Sequence, residues 1–146
     1  MKHEQGFSMI KIMFLLVLIG AGVLVGYKII PVYNAYWKVQ DTFDGVVVRM
    51  ADESEDAIRK RLPQLFGIKY LASDDVPKSF YENLYIRANG GKVEISSEYD
   101  VTVWILGPVE GVDPDSAYEE SELKGMDKIR HMARRDFYFE PYAETP

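Results

Sequence analysis

Between Ile12 and Tyr27 the chain runs for 16 residues without a single charge, reading Ile-Met-Phe-Leu-Leu-Val-Leu-Ile-Gly-Ala-Gly-Val-Leu-Val-Gly-Tyr. The run lengthens toward Phe7 and Ile30 when Lys11 and Lys28 extend their ammonium heads to the interface along their own stems. About 20 apolar residues suffice to cross the hydrocarbon layer as a helix. A cleaved secretory signal has a shorter apolar core that ends in a small-x-small site, whereas this run passes on into Tyr27-Lys-Ile-Ile30. Residues 12–30 are therefore predicted to form a transmembrane helix, preceded by a short cytoplasmic segment, residues 1–11.

The remaining residues, 31–146, suit one compact acidic domain. The formal charge of −6 is unevenly spread: four lysines against Glu4 give +3 up to Gln40, which leaves −9 from Asp41 onward. Lysines near a span favour the cytoplasmic side, so Lys2 and Lys11 predict a cytoplasmic N-terminus and a domain in the periplasm of a Gram-negative cell, held in the inner membrane. An acidic domain without a basic stripe has no footprint for phosphates, which excludes nucleic acid as a partner. With no cysteine, disulfides and thiolate metal sites are excluded as well. Within the span, Gly22 and Gly26 have the small-xxx-small spacing that lets two membrane helices approach, although glycine is common in such helices.

Two resemblances add to this reading. Gln5-Gly6-Phe7-Ser8-Met9-Ile10 resembles the N-terminal signal of type IV pilins and pseudopilins, in which a short basic leader ends in Gly and a Phe opens the mature apolar helix. That likeness implies processing between Gly6 and Phe7. Lys11 stands where the pilins normally carry a glutamate, and a cation cannot pair with a neighbouring N-terminal amine as that glutamate does. Over a longer stretch, Lys28-Ile-Ile-Pro31-Val-Tyr, Ile58-Arg-Lys-Arg-Leu62, Phe66-Gly-Ile-Lys-Tyr70 and Tyr99-Asp-Val-Thr-Val-Trp-Ile-Leu-Gly107 are similar to a proteobacterial family of small single-pass membrane proteins of unknown function, often encoded beside signal peptidase I and ribonuclease III. In that family a final strand follows the Leu-Gly turn closely, so residues 108–136 read here as an insertion. The resemblance implies an architecture and no site residues.

After Pro31 the apolar positions Val32, Tyr36, Val39, Phe43, Val47 and Met50 repeat at helical spacing. The helix is expected to bend near Pro31 and dock this stripe on the domain, with Tyr33 and Trp37 suited to the membrane interface. Gly45 and the β-branched Val46-Val-Val48 weaken its last turns. A second helix is capped by Asp52 or Ser54, buries Ile58, Leu62 and Leu65 or Phe66, and ends at Gly67, its last turn disturbed by Pro63. Strict alternation from Val93 to Ile105 predicts one long strand, and Asn89-Gly90-Gly91 folds Leu84–Ala88 back onto it as a hairpin. Phe137–Tyr142 is a further strand, and residues 115–135 read as a mostly charged helix, interrupted by Gly125, with Leu123, Met126, Ile129 and Met132 or Ala133 inward. The fold class is α+β: a transmembrane helix continuing into a pilin-like domain, with a small antiparallel sheet of three to four strands on helices.

Chemistry-bearing residues are few. His131 has no sequence context for a metal site or a relay and reads as a solvated surface histidine. Asp113, Asp115 and Glu119 supply oxygens of the kind Ca²⁺ takes, without the spacing of a calcium loop; capping of a helix N-terminus explains the same residues. Glu98 and Asp100 share the wet face of the strand. Trp104 interrupts that face and, with Tyr85, Tyr138 and Tyr142, forms either an aromatic surface for a protein partner or a patch that the insertion covers. The resulting expectation is a non-enzymatic, membrane-anchored structural or accessory protein without cofactors. Its partners are the lipid bilayer and other membrane proteins, in a multi-subunit complex or pilus machinery. The alternative is a periplasmic module that binds a cation or small ligand.

Overall fold

The computed structural model describes residues 8–146. The candidate processing pair Gly6 and Phe7 lies outside the described residues. Helix α1 spans Met9–Arg49, about 60 Å at 1.5 Å per residue. Its first half is long and apolar enough to cross a membrane, and none of that window is buried. The chain forms two compact units, one comprising residues up to Ile30 with Trp104–Ala133, the other Pro31–Val103 with Arg134–Pro146.

The larger unit is organised by the second half of α1. Val39, Phe43, Val46, Val47 and Met50 are buried, with Val32 and Tyr36 packed beside them, as the helical stripe predicts. The helix is continuous through Pro31, and the expected fraying at Gly45 does not occur. Burial of Val46 and Val47 outweighs the low helix propensity of the β-branched run, since each buried side chain contributes about 1.5–3 kcal/mol against a few tenths for propensity.

Helix α2, Glu55–Ile68, begins where Ser54 Oγ accepts the Ala57 N–H at 3.2 Å and buries Ile58, Leu62 and Phe66. Pro63 sits inside it without ending it. Nor does Gly67 end it: the left-handed residue that closes α2 is Tyr70, at φ 60°. The Leu71 N–H reaches the Phe66 carbonyl and the Tyr70 N–H the Gly67 carbonyl, the paired bonds of a Schellman cap. A bulky residue in that conformation is strained by about 1–2 kcal/mol relative to glycine. A one-turn helix α3, Lys78–Glu82, then places Phe80 at the centre of the core, its ring against Phe43, Phe66 and Tyr99 at 6.0, 5.8 and 5.7 Å. Five residues give no periodicity, which is why the sequence pattern does not announce it.

Strands β1 (Tyr85–Asn89) and β2 (Lys92–Ser96) form the expected hairpin, with Asn89 opposite Lys92 and positive φ at Gly90 and Gly91. The predicted long strand is broken at Ser97–Glu98 into β2 and β3 (Tyr99–Trp104), and the C-terminal strand at Glu140–Pro141 into β4 (Arg134–Phe139) and β5 (Tyr142–Glu144). One sheet has the order β1-β2-β5 and the other pairs β3 with β4, giving five strands in two small sheets. The breaks face each other. The Ser97 N–H bonds the Pro141 carbonyl, Ser97 Oγ donates to the Phe80 carbonyl at 2.6 Å, and Asn83 Nδ2 donates to the Glu98 carbonyl. Pro141 has no N–H to return, so the ladder opens there. Register persists across the corner: Ser96 opposes Tyr142, and six residues along both strands Thr102 Oγ1 bonds Asp136 at 2.8 Å. Burial of Val93, Ile95, Ser97, Tyr99 and Val103 keeps the predicted alternation.

In the smaller unit the charged helix expected over residues 115–135 is confined to α4, Met126–Met132, after a 3-10 turn at Glu120–Glu122. Leu123 is buried, but Met126, Ile129 and Met132 are exposed. Gly125 adopts φ 61° and breaks the pattern, and Arg134 and Arg135 belong to β4.

Tyr99 is 2 % exposed, packs on Phe80 and Phe139, and its hydroxyl has no hydrogen-bond partner among the described residues. Burial, followed by the nearby Tyr36, pushes its ionisation far above the ordinary tyrosine range. A buried hydroxyl without a partner costs about 1–3 kcal/mol. Tyr99→Phe is thus expected to raise the denaturation midpoint by the equivalent of about 1 kcal/mol, with unchanged slope, in chemical unfolding of the detergent-solubilised chain.

Candidate functional site

The larger unit carries a groove of about 630 Å³ between the C-terminal turns of α1 and helix α2. Thr42, Val46, Met50 and Leu65 line its depth, and Asp41, Arg49, Arg61 and Lys69 its edges. Thr42 is satisfied internally, its hydroxyl donating to the Lys38 carbonyl at 2.8 Å. Gly45 forms part of the floor, and a Cβ there would meet nothing within 4 Å, so the space above it is open. Val48 and Ile68 stand on the walls, 64 % and 73 % exposed. Apolar walls left to water over an open floor are the usual mark of a contact surface.

The charged groups are unequal in what they do. Lys69 pairs with Asp41, and Asp44 Oδ1 accepts from Gln40 Nε2 at 3.1 Å. Arg49 and Arg61 are exposed and make no ion pair among the described residues, which leaves both guanidinium groups available at the edge of the groove. Gln40 also reaches the other way. Its carbonyl oxygen accepts the Tyr142 N–H at 3.1 Å and its amide donates to the Tyr142 carbonyl at 2.7 Å, which satisfies the outer edge of β5 from the helix.

The sequence-derived candidates are not brought together into one site. Tyr85 and Tyr142 flank Ser96 in the three-stranded sheet, 49 % and 46 % exposed, while Tyr138 lies in the β3–β4 pair. The Tyr138 hydroxyl donates to Glu98 at 2.5 Å with Glu140 adjacent, and that of Tyr142 to Glu144 at 2.9 Å. Both phenols are held above their ordinary range because a phenolate there would face carboxylates. Trp104 is half-buried. In the span, a Cβ at Gly22 would meet nothing within 4 Å and one at Gly26 only its own Ile30 at 3.7 Å.

In the smaller unit Asp113 is used in a turn, its carboxylate accepting the Asp115 N–H and its carbonyl the Ser116 hydroxyl. Among the described residues no group of three or more His, Asp or Glu is placed to hold a metal, so Asp113, Asp115 and Glu119 do not converge. His131 is not a solvated surface residue. It is half-buried, with Nδ1 2.9 Å from the Tyr118 hydroxyl and the two rings 5.5 Å apart. The carboxylate that sequence reasoning missed is Asp127. It accepts the N–H groups of Glu110 and Gly111 at 3.1 and 2.9 Å and pairs with Arg130 at 3.1 Å. Gly111 permits this approach, since a Cβ there would lie 3.0 Å from the carboxylate.

A long apolar helix that could span a membrane leads into a small α+β unit with a groove between α1 and α2. The chain belongs to the family described as a domain of unknown function, DUF4845, whose model matches residues 28–112, more than half of the sequence. No curated protein and no solved structure matches it. The matched region covers α2, the β1–β2 hairpin, β3 and the groove, and ends before α4, β4 and β5.

The two backbone N–H groups and then Arg130 hold the Asp127 carboxyl below its ordinary range. A lowered folded-state value stabilises the clamp above the unfolded value of about 3.9 and is lost as pH falls through the lower folded value. In amide NMR, the Glu110 and Gly111 resonances are expected to titrate together with a midpoint below about 4. Asp127→Asn should abolish that shared titration.

Proposed function

We propose that this chain is a non-enzymatic, single-pass membrane protein that works by contact, its N-terminus in the cytoplasm and its acidic domain in the periplasm. It serves as an accessory subunit of an inner-membrane complex or as a pilin-like component, and the α1–α2 groove is the face that receives a partner. The observation that supports this most directly is the groove itself, with Val48 and Ile68 exposed, an open floor at Gly45, and on its rim Arg49 and Arg61, which make no ion pair among the described residues. Protein contacts of this kind combine apolar anchors with arginine at the edge. The anchor reading is supported by α1, which has a window of mean hydropathy 2.5 and lipid-compatible residues on every face.

Lys11 favours the accessory subunit over the filament. Near the start of a membrane helix its head reaches the headgroups at little cost, whereas among neighbouring helices in a filament an unpaired ammonium costs several kcal/mol, on the order of a desolvated charge.

The reading is tested by placing a photo-crosslinking residue at Val48 or Ile68 of the full chain in native membranes, with Lys60, on the exposed side of α2, as the control. Discrete adducts with another membrane protein are expected at the first two positions and not at the third. Their absence at both groove positions would remove the contact assignment. A fusion at Pro146 to a reporter active only outside the cytoplasm is expected to be active, and an inactive fusion would reverse the orientation.

A further inference from the structure

We propose that Tyr70, Trp37 and Tyr33 form a shelf by which the larger unit rests in the headgroup layer of the bilayer that α1 crosses. The inference rests on the reading of α1 as a membrane anchor and adds where the folded unit stands relative to the lipid.

Three observations carry it. Tyr70 occupies the left-handed closing position of α2, where glycine is unstrained, yet its ring is 88 % exposed and meets no other ring among the described residues. Within the folded chain the side chain gains nothing for its strained backbone. A non-glycine residue held at positive φ is a reason to look for what its side chain touches.

Height is the second observation. Pro31 opens the larger unit on α1, and Trp37 follows six residues later, about 9 Å along the axis at 1.5 Å per residue. Side chains on a helix lean toward its N-terminus. The Trp37 indole accordingly lies back toward Tyr33, their centroids 6.4 Å apart, about one turn nearer the membrane than its own Cα. That brings the indole into a headgroup layer about 5–8 Å deep on each side of the hydrocarbon. Tyr70 is tied to the neighbouring residue of α1, because Lys38 Nζ donates to its carbonyl at 3.4 Å.

The third is chemistry. Trp37 is 61 % exposed and Tyr33 38 %, and tyrosine and tryptophan, each with an apolar ring and a polar edge, are the side chains that collect at membrane interfaces. Lys38 and Lys69 flank the shelf, and Asp41, the nearest acid on α1, is neutralised by Lys69. On a domain of net charge −9 this is where anionic headgroups are accepted.

The chain has no cysteine and two tryptophans, which makes the test direct. The full chain is reconstituted in vesicles of three parts zwitterionic to one part anionic phospholipid. Trp104→Phe leaves Trp37 as the sole indole. Single cysteines at Val17, Tyr70 and Glu53 carry an environment-sensitive dye, Glu53 lying just beyond the far end of α1. Spin-labelled lipids serve as quenchers, one labelled deep in the acyl chain and one at the headgroup. Expected are quenching of the Val17 dye by the deep label, and quenching of Trp37 and the Tyr70 dye by the headgroup label at least twofold stronger than at Glu53. Tyr70→Gly is expected to raise the melting temperature while reducing headgroup quenching of Trp37 by at least half, a combination that a purely structural role does not give. Quenching at Val17 with Trp37 and Tyr70 equal to Glu53 overturns the shelf and leaves the anchor standing. No quenching at Val17 overturns both.

Discussion

Helix α1 joins two surface chemistries. From Ile12 to Tyr27 it carries no charge and is apolar enough to cross a membrane, and from Ala35 to Met50 one face becomes the core of the larger unit while the other mixes polar groups with the exposed Trp37 and Val48. The change occurs within one continuous helix, whose hydrogen-bond ladder skips the bond that Pro31, having no N–H, cannot donate. Helices α2 and α3 and strands β4 and β5 reach that second half through side chains, Lys69 at Asp41, Phe80 at Phe43, Phe139 at Tyr36 and Tyr142 at Gln40. The rings of Phe43, Phe66, Phe80, Tyr99 and Phe139 form a connected chain of contacts, and α1 enters it through Tyr33, Tyr36 and Phe43. A change on the buried face of α1 is therefore felt in both sheets, because cores packed at crystal-like density transmit displacement.

The strands answer a geometric problem set by that helix. A straight ribbon lies flat against a rod along only part of its length, and the corner at Ser97–Glu98 and Glu140–Pro141 lets β2 and β3 address different parts of the core. The corner needs its own hydrogen bonds, which come from α3 and from Asn83. A five-residue helix thus does two things at once: it supplies Phe80 to the core and a carbonyl to the bend.

Much of this was legible in the residues. The α1 stripe, the Ser54 cap, the Gly90-Gly91 turn and the inward parity of the strands follow from periodicity and local backbone chemistry, which act over a few residues. What was not legible depends on partners distant in sequence. The bend at Ser97 is set by Phe80 and Pro141, and the close of α2 at Tyr70 by bonds back to Phe66 and Gly67 where a nearby glycine was the obvious stop. The exposed Met126, Ile129 and Met132 mimic a buried stripe, and Gly125 is the residue that spoils it. The groove left no signal because its residues come from two helices, each patterned for other reasons. Asp127 was likewise one acid among many until the Glu110 and Gly111 amides were found around it.

The bonds between Gln40 and Tyr142 join residues 102 positions apart. At ribosomal rates of about 5–20 residues per second, roughly 5 to 20 s separate the synthesis of the two. Throughout that interval Val39, Phe43 and Val47, already attached to the apolar half of α1, wait for the last strand of their core. A freely diffusing chain would risk meeting other chains in that state. On the anchor reading proposed above, the waiting face is tethered at the bilayer, confined to a surface and to one direction of approach. The segment that would fix the protein's address would then also set the boundary conditions of its folding.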